Sequence, residues 1–209
     1  MDGENKVLTK AWELFDNGHY QDAEKLYLEC YNRRNASDDE TRNVILMGLL
    51  YSSAFLGKYQ EARSYCNSLM ASARNEEEKH IAFHQFGMVE RMAGNYEKAM
   101  AYFMEEESII RAAFSADPFR LSANFYEQGY VALQMKQYTK AEQTMRAALD
   151  CAISAKDEMC KGCAYRGMGQ IMAAVGNPEK ASEFFAKAIV SFTDAGDLTA
   201  VEEIEIMLA

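Results

Sequence analysis

The sequence predicts an all-α protein built from repeated helical hairpins. Three observations support this: one short motif recurs five times along the chain, the 209 residues include only two prolines, and 49% of the residues are hydrophobic among many good helix formers. This composition leaves little room for strands. We therefore expect five hairpins followed by one further helix at the C-terminal end of the chain.

The recurring motif is a six-residue turn that is clearest as Gly94-Asn95-Tyr96-Glu97-Lys98-Ala99. The other copies occupy residues 18–23, 57–62, 136–141 and 176–181. The final alanine is present in every copy, and successive alanines are separated by 39, 37, 42 and 40 residues. A period in this range is typical of solenoids and repeat arrays.

Within each copy the turn separates two helical segments. Glycine adopts the left-handed conformation that ends the first helix, and the following tyrosine opens the second. In four of the five copies a small residue lies seven positions before the turn residue, and a second, bulkier side chain follows nine positions after it. The bulkier residues are Tyr27, Cys66, Phe103, Met145 and Phe185. Small residues let two helices approach closely, and the larger side chains fill the remaining space.

These positions resemble the tetratricopeptide repeat, whose pattern runs from an aromatic residue through Leu-Gly and a tyrosine to Ala-x3-Phe. The resemblance covers nearly the whole chain. The proline that ends the second helix of the family pattern is missing, and the period exceeds the usual 34 residues. Longer helices of this sort are similar to those of kinesin light chains and bacterial peptide-pheromone sensors. The resemblance implies a right-handed α-α superhelix, a solenoid that binds a protein or peptide in its concave groove without catalysis.

The repeats and their boundaries follow from the phase of the motif. We expect a single domain over residues 1–209, with repeats at about 4–36, 40–74, 76–114, 118–155 and 157–194 and a capping helix at 197–208. A loop at 35–39 should join the first two hairpins. Asn75, Asp117 before Pro118, and Asn177 before Pro178 should begin helices. In the last helix, one apolar stripe is expected to contain Leu198, Val201, Ile204 and Leu208.

Charge and composition argue against several classes of partner. The formal charge of −10 and the isoelectric point near 4.9 disfavour nucleic acid and anionic lipid, which attract basic surfaces. The start of the chain lacks the features of a secretory leader, and no apolar run is long enough to cross a bilayer. Five cysteines, an odd number on predicted helices, do not suggest a disulfide framework. We expect a cytoplasmic protein.

Two short motifs have spacings that could support chemistry. Cys160 and Cys163 have the spacing of a redox pair or half a zinc site, and the other interpretation is two partly buried thiols. His80 and His84 could share a metal on one helical face, yet the glutamate of zinc proteases is absent. The sequence has no phosphate-binding glycine loop and no Gly-x-Ser-x-Gly elbow. We therefore expect no catalytic site, metal or cofactor.

The resemblance also predicts which residues would face a ligand. In tetratricopeptide arrays the first helix of each hairpin lines the concave surface, at positions ten, six, three and two before the turn residue. The candidate groove residues are Trp12, Met47, Tyr51, His84, Met88, Arg91, Tyr126, Tyr130, Arg166 and Gln170. Arg91 and Arg166 could hold a carboxylate. The alternative, which applies first to Trp12 and Phe55, is that these aromatics pack on neighbouring hairpins.

Two other functions stay open at this point. The apolar end of the last helix, with Ile204, Ile206, Met207 and Leu208, could make a homodimer, so the chain could be a self-assembling structural protein. The chain could also be a peptide sensor that depends on a separate output partner. The groove does not match the Lys/Asn-rich carboxylate clamp of chaperone-binding members of the family, so we do not expect a chaperone tail as its ligand.

Overall fold

The computed structural model describes residues 2–32 and 39–208. Within these ranges the chain forms eleven α-helices and no strand. The helices are α1 Asp2–Asp16, α2 Tyr20–Asn32, α3 Asp39–Phe55, α4 Tyr59–Ser72, α5 Glu76–Met92, α6 Tyr96–Ala113, α7 Pro118–Gln134, α8 Tyr138–Ala155, α9 Glu158–Ala174, α10 Pro178–Ala195 and α11 Leu198–Leu208. The predicted all-α hairpin repeat is confirmed. Of the predicted loop at 35–39, residues 35–38 lie outside the described residues, and α3 begins at Asp39.

The turn motif forms the same backbone structure in all five copies. The four turn glycines have φ between +74° and +77°, and Lys136, which replaces glycine in the fourth copy, has φ +58°. In each turn the next residue's N–H donates to a carbonyl five residues back, at 2.8–2.9 Å. These are the bonds of the Schellman motif, which satisfies the carbonyls at a helix C-terminus. The motif therefore ends one helix and aims the chain into the next.

Side chains at the predicted helix starts cap their helices. Asn75 accepts a hydrogen bond from the N–H of Glu78, Asp117 from Phe119, and Asn177 from Lys180. Pro118 and Pro178 occupy the first helical position, where the missing N–H has no helical partner in any case. The predicted caps are therefore confirmed.

The chain forms two compact units, Met1–Ala99 and Met100–Ala209. The N-terminal unit contains α1–α5 and the start of α6, and the C-terminal unit contains the rest of α6 with α7–α11. No helix among the described residues is both long and apolar enough to span a membrane.

In the N-terminal unit, α3 packs against a tyrosine ring on α2. Tyr27 is 2% exposed, and a Cβ added at Gly48 would overlap its ring. The ring lies in one core with Ala11, Ala23, Ile45 and Leu49, all of them buried. Because glycine has no side chain, the α3 backbone can rest directly on the ring, and Tyr27 becomes the wedge that joins the first hairpin to the second.

The same wedge recurs in the C-terminal unit. The buried side chain of Met145 on α8 lies against both Gly129 on α7 and Gly167 on α9, so that a Cβ added at Gly167 would overlap the end of this side chain and one added at Gly129 would be in tight contact with it. The Phe185 ring on α10 lies in the same way against Gly169 on α9. The predicted close approach of helices at small residues is therefore present in this unit.

Two polar networks join neighbouring hairpins in the N-terminal unit. Glu24 on α2 accepts hydrogen bonds from Ser53 at 3.1 Å and from Lys58 at 2.5 Å. One repeat later the charges are reversed: Arg63 on α4 makes a two-pronged ion pair with Glu90, at 2.7 and 2.9 Å, and Asn95 donates to the same carboxylate at 2.6 Å. The three positions are equivalent in the two repeats.

The C-terminal unit also joins its helices through buried neutral side chains, at other repeat positions. Asn124 on α7 is fully buried and donates to the backbone carbonyl of Phe103 at 2.8 Å and to Glu106 at 2.9 Å. Ser122 donates to the carbonyl of Ala148 at 2.9 Å. Met172, at the repeat position that Glu90 holds in the other unit, is 7% exposed and cannot form an ion pair.

The last helix differs from the predicted stripe. Ile204 is buried together with Ala200, whereas Leu198 is 63% exposed and Leu208 is 48% exposed. Successive steps of three residues rotate a stripe by about 60° each on a helix of 3.6 residues per turn, so Leu198 lies about 120° away from Ile204. Leu208 is the last residue of α11. The buried line therefore runs through residues that are four apart, Ala200 and Ile204.

We predict that Gly169→Ala destabilises the protein. The new Cβ would lie 2.6 Å from a Phe185 ring carbon, and the rigid ring must move. Alanine gains up to about 1 kcal/mol of helix propensity over glycine, but overpacking a core commonly costs about 1–3 kcal/mol, so a net loss of about 1–2 kcal/mol is expected in urea unfolding. In a Phe185→Leu background, the same substitution should cost clearly less. A Gly169→Ala protein as stable as the parent would contradict the wedge.

We also predict that Glu90 makes stability depend on pH. The Arg63 hydrogen bonds lower the pKa of the Glu90 carboxyl against the opposing effect of its burial, and Asn95 lowers it further. Because the folded-state pKa lies below the unfolded one, the stabilisation is complete above the unfolded pKa and is lost as pH falls through the folded pKa. Near pH 7, Glu90→Gln should lose about 1–3 kcal/mol of unfolding free energy.

The check is urea unfolding of both proteins between pH 7 and pH 3. The difference between parent and Glu90→Gln should shrink as the solution becomes more acidic. Glu61→Gln is the matched control, because Glu61 is an exposed carboxylate on α4. Parallel pH profiles for the parent and Glu90→Gln would show that the ion pair has no such role.

Candidate functional site

The N-terminal unit carries an apolar cleft of about 770 Å³. Its walls come mainly from the first helices of three successive hairpins, α1, α3 and α5, with contributions from α2 and α4. The lining residues are Trp12, Phe15, Tyr27, Glu40, Asn43, Val44, Met47, Gly48, Tyr51, Leu69, Ser72, Glu78, Ile81 and Ala82. Three of the ten predicted groove residues, Trp12, Met47 and Tyr51, therefore lie on one cleft.

Helical spacing places these three side chains on the cleft. Met47 and Tyr51 are four residues apart on α3, so they share one face of the helix, and both are half-buried. The Tyr51 hydroxyl donates to the Gln85 side chain on α5, which fixes the ring between the two helices. Trp12 on α1 is 61% exposed and stacks on Phe15 with ring centroids 6.1 Å apart.

The floor of the cleft belongs to the hairpin packing itself. Tyr27 and Gly48, which form the wedge between the first two hairpins, both line it. Burial raises the pKa of the Tyr27 phenol, as expected for a hydroxyl that is partly removed from water. The cleft is therefore built on one of the most tightly packed contacts of the unit.

Phe55 is placed differently from Trp12. Its ring stacks on Tyr20 with centroids 4.6 Å apart and meets Phe15 edge-on at 5.6 Å. These three rings form an aromatic cluster at the turn of the first hairpin, and Phe55 is absent from the cleft lining. Packing on a neighbouring hairpin thus accounts for Phe55, while Trp12 presents most of its surface to solvent.

Three further candidates lie on α5, outside the cleft lining. His84, Met88 and Arg91 are half-buried. His80, one turn before His84, is 9% exposed, and its Nε2 lies 3.5 Å from a Glu77 carboxylate oxygen on the same helix.

The candidates of the C-terminal unit include a partnered arginine. Arg166 on α9 donates from Nη2 to the Tyr126 hydroxyl at 3.2 Å and makes an ion pair from Nη1 with Glu203 on α11 at 3.1 Å. Its guanidinium also lies 5.5 Å from the centroid of the Phe192 ring. Burial raises the pKa of the Tyr126 phenol, whereas the neighbouring Arg166 lowers it. The carboxylate that pairs with Arg166 therefore comes from the last helix of the same chain.

The remaining two candidates, Tyr130 and Gln170, each lie four residues after a member of the Tyr126–Arg166 pair. Tyr130 is half-buried, with its ring 6.5 Å from that of Tyr126 on the same helix. The Gln170 side-chain oxygen is buried without a hydrogen-bond partner among the described atoms. That all ten candidates share a single groove stays a prediction.

The cysteine pair is unsuited to nucleophilic chemistry near neutral pH. Burial, together with the neighbouring Asp157 carboxylate, raises the pKa of the Cys160 thiol to about 12, and burial also raises the pKa of Cys163. A thiol is nucleophilic and binds metal as the thiolate, which these environments disfavour. In residues 2–32 and 39–208, no group of three or more His, Cys, Asp and Glu side chains is arranged to hold a metal ion.

Sequence comparison identifies the repeats directly in part of the chain. Residues 121–190 match the family model of the tetratricopeptide repeat. This segment contains most of α7–α10, including the wedges of Met145 and Phe185. No curated protein matches the chain in a sequence search.

Solved structures extend the similarity over nearly the whole chain. Aspartyl phosphate phosphatase F from Bacillus subtilis superposes with a TM-score of 0.79 at 17% identity, over 95% of this chain and 53% of that one. Kinesin light chain-type repeats from P. anserina give 0.65 at 18% identity, over 92% and 95%. A signal-transduction ATPase from Pyrococcus horikoshii with a tetratricopeptide repeat sensor gives 0.73 at 19% identity, over 97% and 31%.

The match over residues 121–190 and the superpositions both relate this chain to tetratricopeptide repeat proteins. The resemblance seen in the sequence is therefore confirmed, including the similarity to kinesin light chain repeats. The chain spans about half of the B. subtilis protein and less than a third of the P. horikoshii one.

The inward positions predicted from the turn motif do not include every residue of the cleft wall. Val44 on α3 and Ile81 on α5 are 50% and 38% exposed and line the cleft, yet both precede the predicted inward positions. Each lies thirteen residues before its turn glycine, which is three residues before the first predicted inward position. Residues three apart share a helix face, so the extra length of these helices was the available signal.

Proposed function

We propose that this chain is a non-enzymatic scaffold that binds a segment of another protein in the apolar cleft of its N-terminal unit. The observation that carries the proposal is a cleft of about 770 Å³ with a 61% exposed tryptophan on its wall. Clefts of roughly 300–1,000 Å³ with apolar and aromatic walls are typical of ligand sites. Binding of proteins or peptides is the usual role of tetratricopeptide arrays, which supports the proposal.

The side chains on the wall suit protein recognition. Exposed tryptophan and tyrosine give large contact area at a small loss of side-chain freedom, and they are enriched at the centres of interfaces. Met47 adds a flexible and polarisable contact that adapts to the shape of a partner. Val44 and Ile81 leave further apolar surface open on the neighbouring helices. Covering this surface would release water and favour binding.

Three of the ten predicted groove residues line the cleft of the N-terminal unit. The candidates of the C-terminal unit include Arg166, which is already paired with Glu203. A ligand carboxylate would have to displace that glutamate to reach the guanidinium. We therefore assign the principal contact to the cleft of the N-terminal unit, and place the protein in the cytoplasm.

The test uses the chain's only tryptophan as a reporter. Peptides selected from a random library on the protein should shift Trp12 fluorescence to shorter wavelength, because they would cover a side chain that is now mostly in water. Calorimetry should then show at least about tenfold weaker binding to Trp12→Ala, as expected for an aromatic anchor.

Val190→Ala is the matched control, since Val190 is 60% exposed on α10 in the other unit. Its affinity for the selected peptides should equal that of the parent. Peptides that leave Trp12 emission unchanged and bind Trp12→Ala as tightly as the parent would place the binding site elsewhere and refute the proposal.

A second candidate is self-association through α11. Ile206, Met207 and Leu208 are 76%, 49% and 48% exposed at the end of this helix, a cluster that a second copy could cover by two-fold pairing. Light scattering at high micromolar concentration should then give twice the 23.6 kDa of one chain, and Ile206→Lys should return it to the monomer mass. The monomer mass for the parent itself would exclude this candidate.

A further inference from the structure

The charged residues among the described lining of the cleft are all negative. They include two carboxylates, Glu40 and Glu78, and no lysine or arginine. The polar remainder of the lining is neutral, Asn43 and Ser72. A ligand that fills this cleft would therefore meet apolar side chains inside and negative charge beside them.

Glu78 is held in place by its own helix start. Its N–H donates to the Asn75 side chain at 2.9 Å, and its carboxylate accepts from the N–H of Arg74 at 2.6 Å. This reciprocal pair is a form of the capping box, which fixes the side chain at the first turn of α5. One carboxylate beside the cleft is thus already ordered before a ligand binds.

Glu40 is the second carboxylate and is more available. It is exposed in the first turn of α3 and makes no ion pair with a described residue. Acidic residues in the first turn of a helix are ordinary, since they interact favourably with the helix dipole. What distinguishes Glu40 and Glu78 is that both also line the apolar cleft, beside Val44 and Ile81 on the same two helices.

We propose that the occupant of the cleft is a cationic amphipathic segment of a protein partner. This inference rests on the proposed function. Apolar side chains of the segment contact Trp12, Val44 and Ile81, and a lysine or arginine beside them pairs with Glu40 or Glu78. A cation near the exposed Trp12 ring gains a further attraction to its face. The net charge of −10 attracts the same ligand at longer range.

Charge complementarity favours this cationic segment over an acidic segment, an anionic lipid surface or a neutral apolar segment. An acidic amphipathic segment would place like charges against Glu40 and Glu78, and such placement is a common source of specificity. An anionic lipid surface would be repelled in the same way. A neutral apolar segment would fill the cleft without using the carboxylates, so its affinity would not depend on them.

The experiment compares two synthetic peptides of 16 residues with the same apolar residues at helical spacing. One peptide carries lysine at every polar flanking position and the other carries glutamate. Titration at about 50 mM salt, followed by Trp12 fluorescence, should show at least about fivefold tighter binding of the lysine peptide. The preference should shrink toward parity near 0.5 M salt, because salt screens exposed charges.

Variants separate the local carboxylate from the overall charge. Glu40→Lys should weaken the lysine peptide and strengthen the glutamate peptide, so that the preference falls by about threefold or more. Glu61→Lys changes the net charge equally at an exposed α4 position outside the cleft lining, and it should leave the preference within about twofold of the parent.

The outcomes distinguish this inference from the proposed function. Equal binding of the two peptides with a blue shift of Trp12 would refute the cationic partner and leave the binding cleft standing. An equal effect of Glu40→Lys and Glu61→Lys would show that only net charge acts, which also refutes the inference. If neither peptide shifts Trp12 emission, the result counts against both proposals.

Discussion

The structure depends on the fit between one bulky side chain and the glycines of the helices around it. Tyr27 against Gly48, Met145 against Gly129 and Gly167, and Phe185 against Gly169 are versions of one contact, in which the second helix of a hairpin supplies the bulk and a first helix supplies the gap. A methyl group in the gap would crowd the bulky side chain, most severely where that side chain is the ring of Tyr27 or Phe185. The repeat therefore depends on a few positions where size is fixed on both sides of a helix contact.

This contact also positions the candidate site. Tyr27 and Gly48 hold α2 against α3, and both line the cleft, while Met47 and Tyr51 on α3 occupy its wall. The face of α3 that carries Gly48 cannot move away from Tyr27 without opening the core. The wall side chains are thus carried by a rigid support, and a ligand would meet a surface that needs little rearrangement before binding.

Charged networks add specificity to the packing of the N-terminal unit. The same three repeat positions hold Glu24, Ser53 and Lys58 at one junction and Arg63, Glu90 and Asn95 at the next, with the sign reversed. If the first hairpin packed on the third, Glu24 would lie against Glu90, and two nearly buried carboxylates would meet. Burying unpaired like charges is strongly unfavourable, so this reversal disfavours the wrong order of hairpins.

Much of the fold could be predicted because the residues that end one helix and begin the next lie together in a short sequence motif. Gly18, Gly57, Gly94 and Gly176 have positive φ, and the helices begin where the motif places tyrosine or proline. Even Lys136 adopts the same turn with a side chain that disfavours it, because the surrounding pattern determines the backbone. The buried line of α11 was less predictable, since it depends on which face reaches α10 rather than on the turn motif.

The site was predicted only in part, for a reason that lies in helix length. Residues ten and six before the turn identified Met47 and Tyr51, but Val44 and Ile81 lie one further turn along helices that are 17 residues long. The period of 37–42 residues already showed that the hairpins exceed the usual repeat. Positions taken from the shorter family pattern therefore end before the wall does.

The two units use equivalent repeat positions in different ways. Met47 and Arg166 both lie ten residues before their turn glycine, yet Met47 lines an open cleft, and Arg166 is occupied by Tyr126, Phe192 and Glu203. A half-buried guanidinium needs a carboxylate nearby, and α11 provides one from within the chain. Trp12 in the apolar cleft stacks on Phe15 and is still 61% exposed. The cleft therefore leaves apolar surface open to a ligand, whereas in the C-terminal unit the last helix already pairs with the charged residue at the equivalent position.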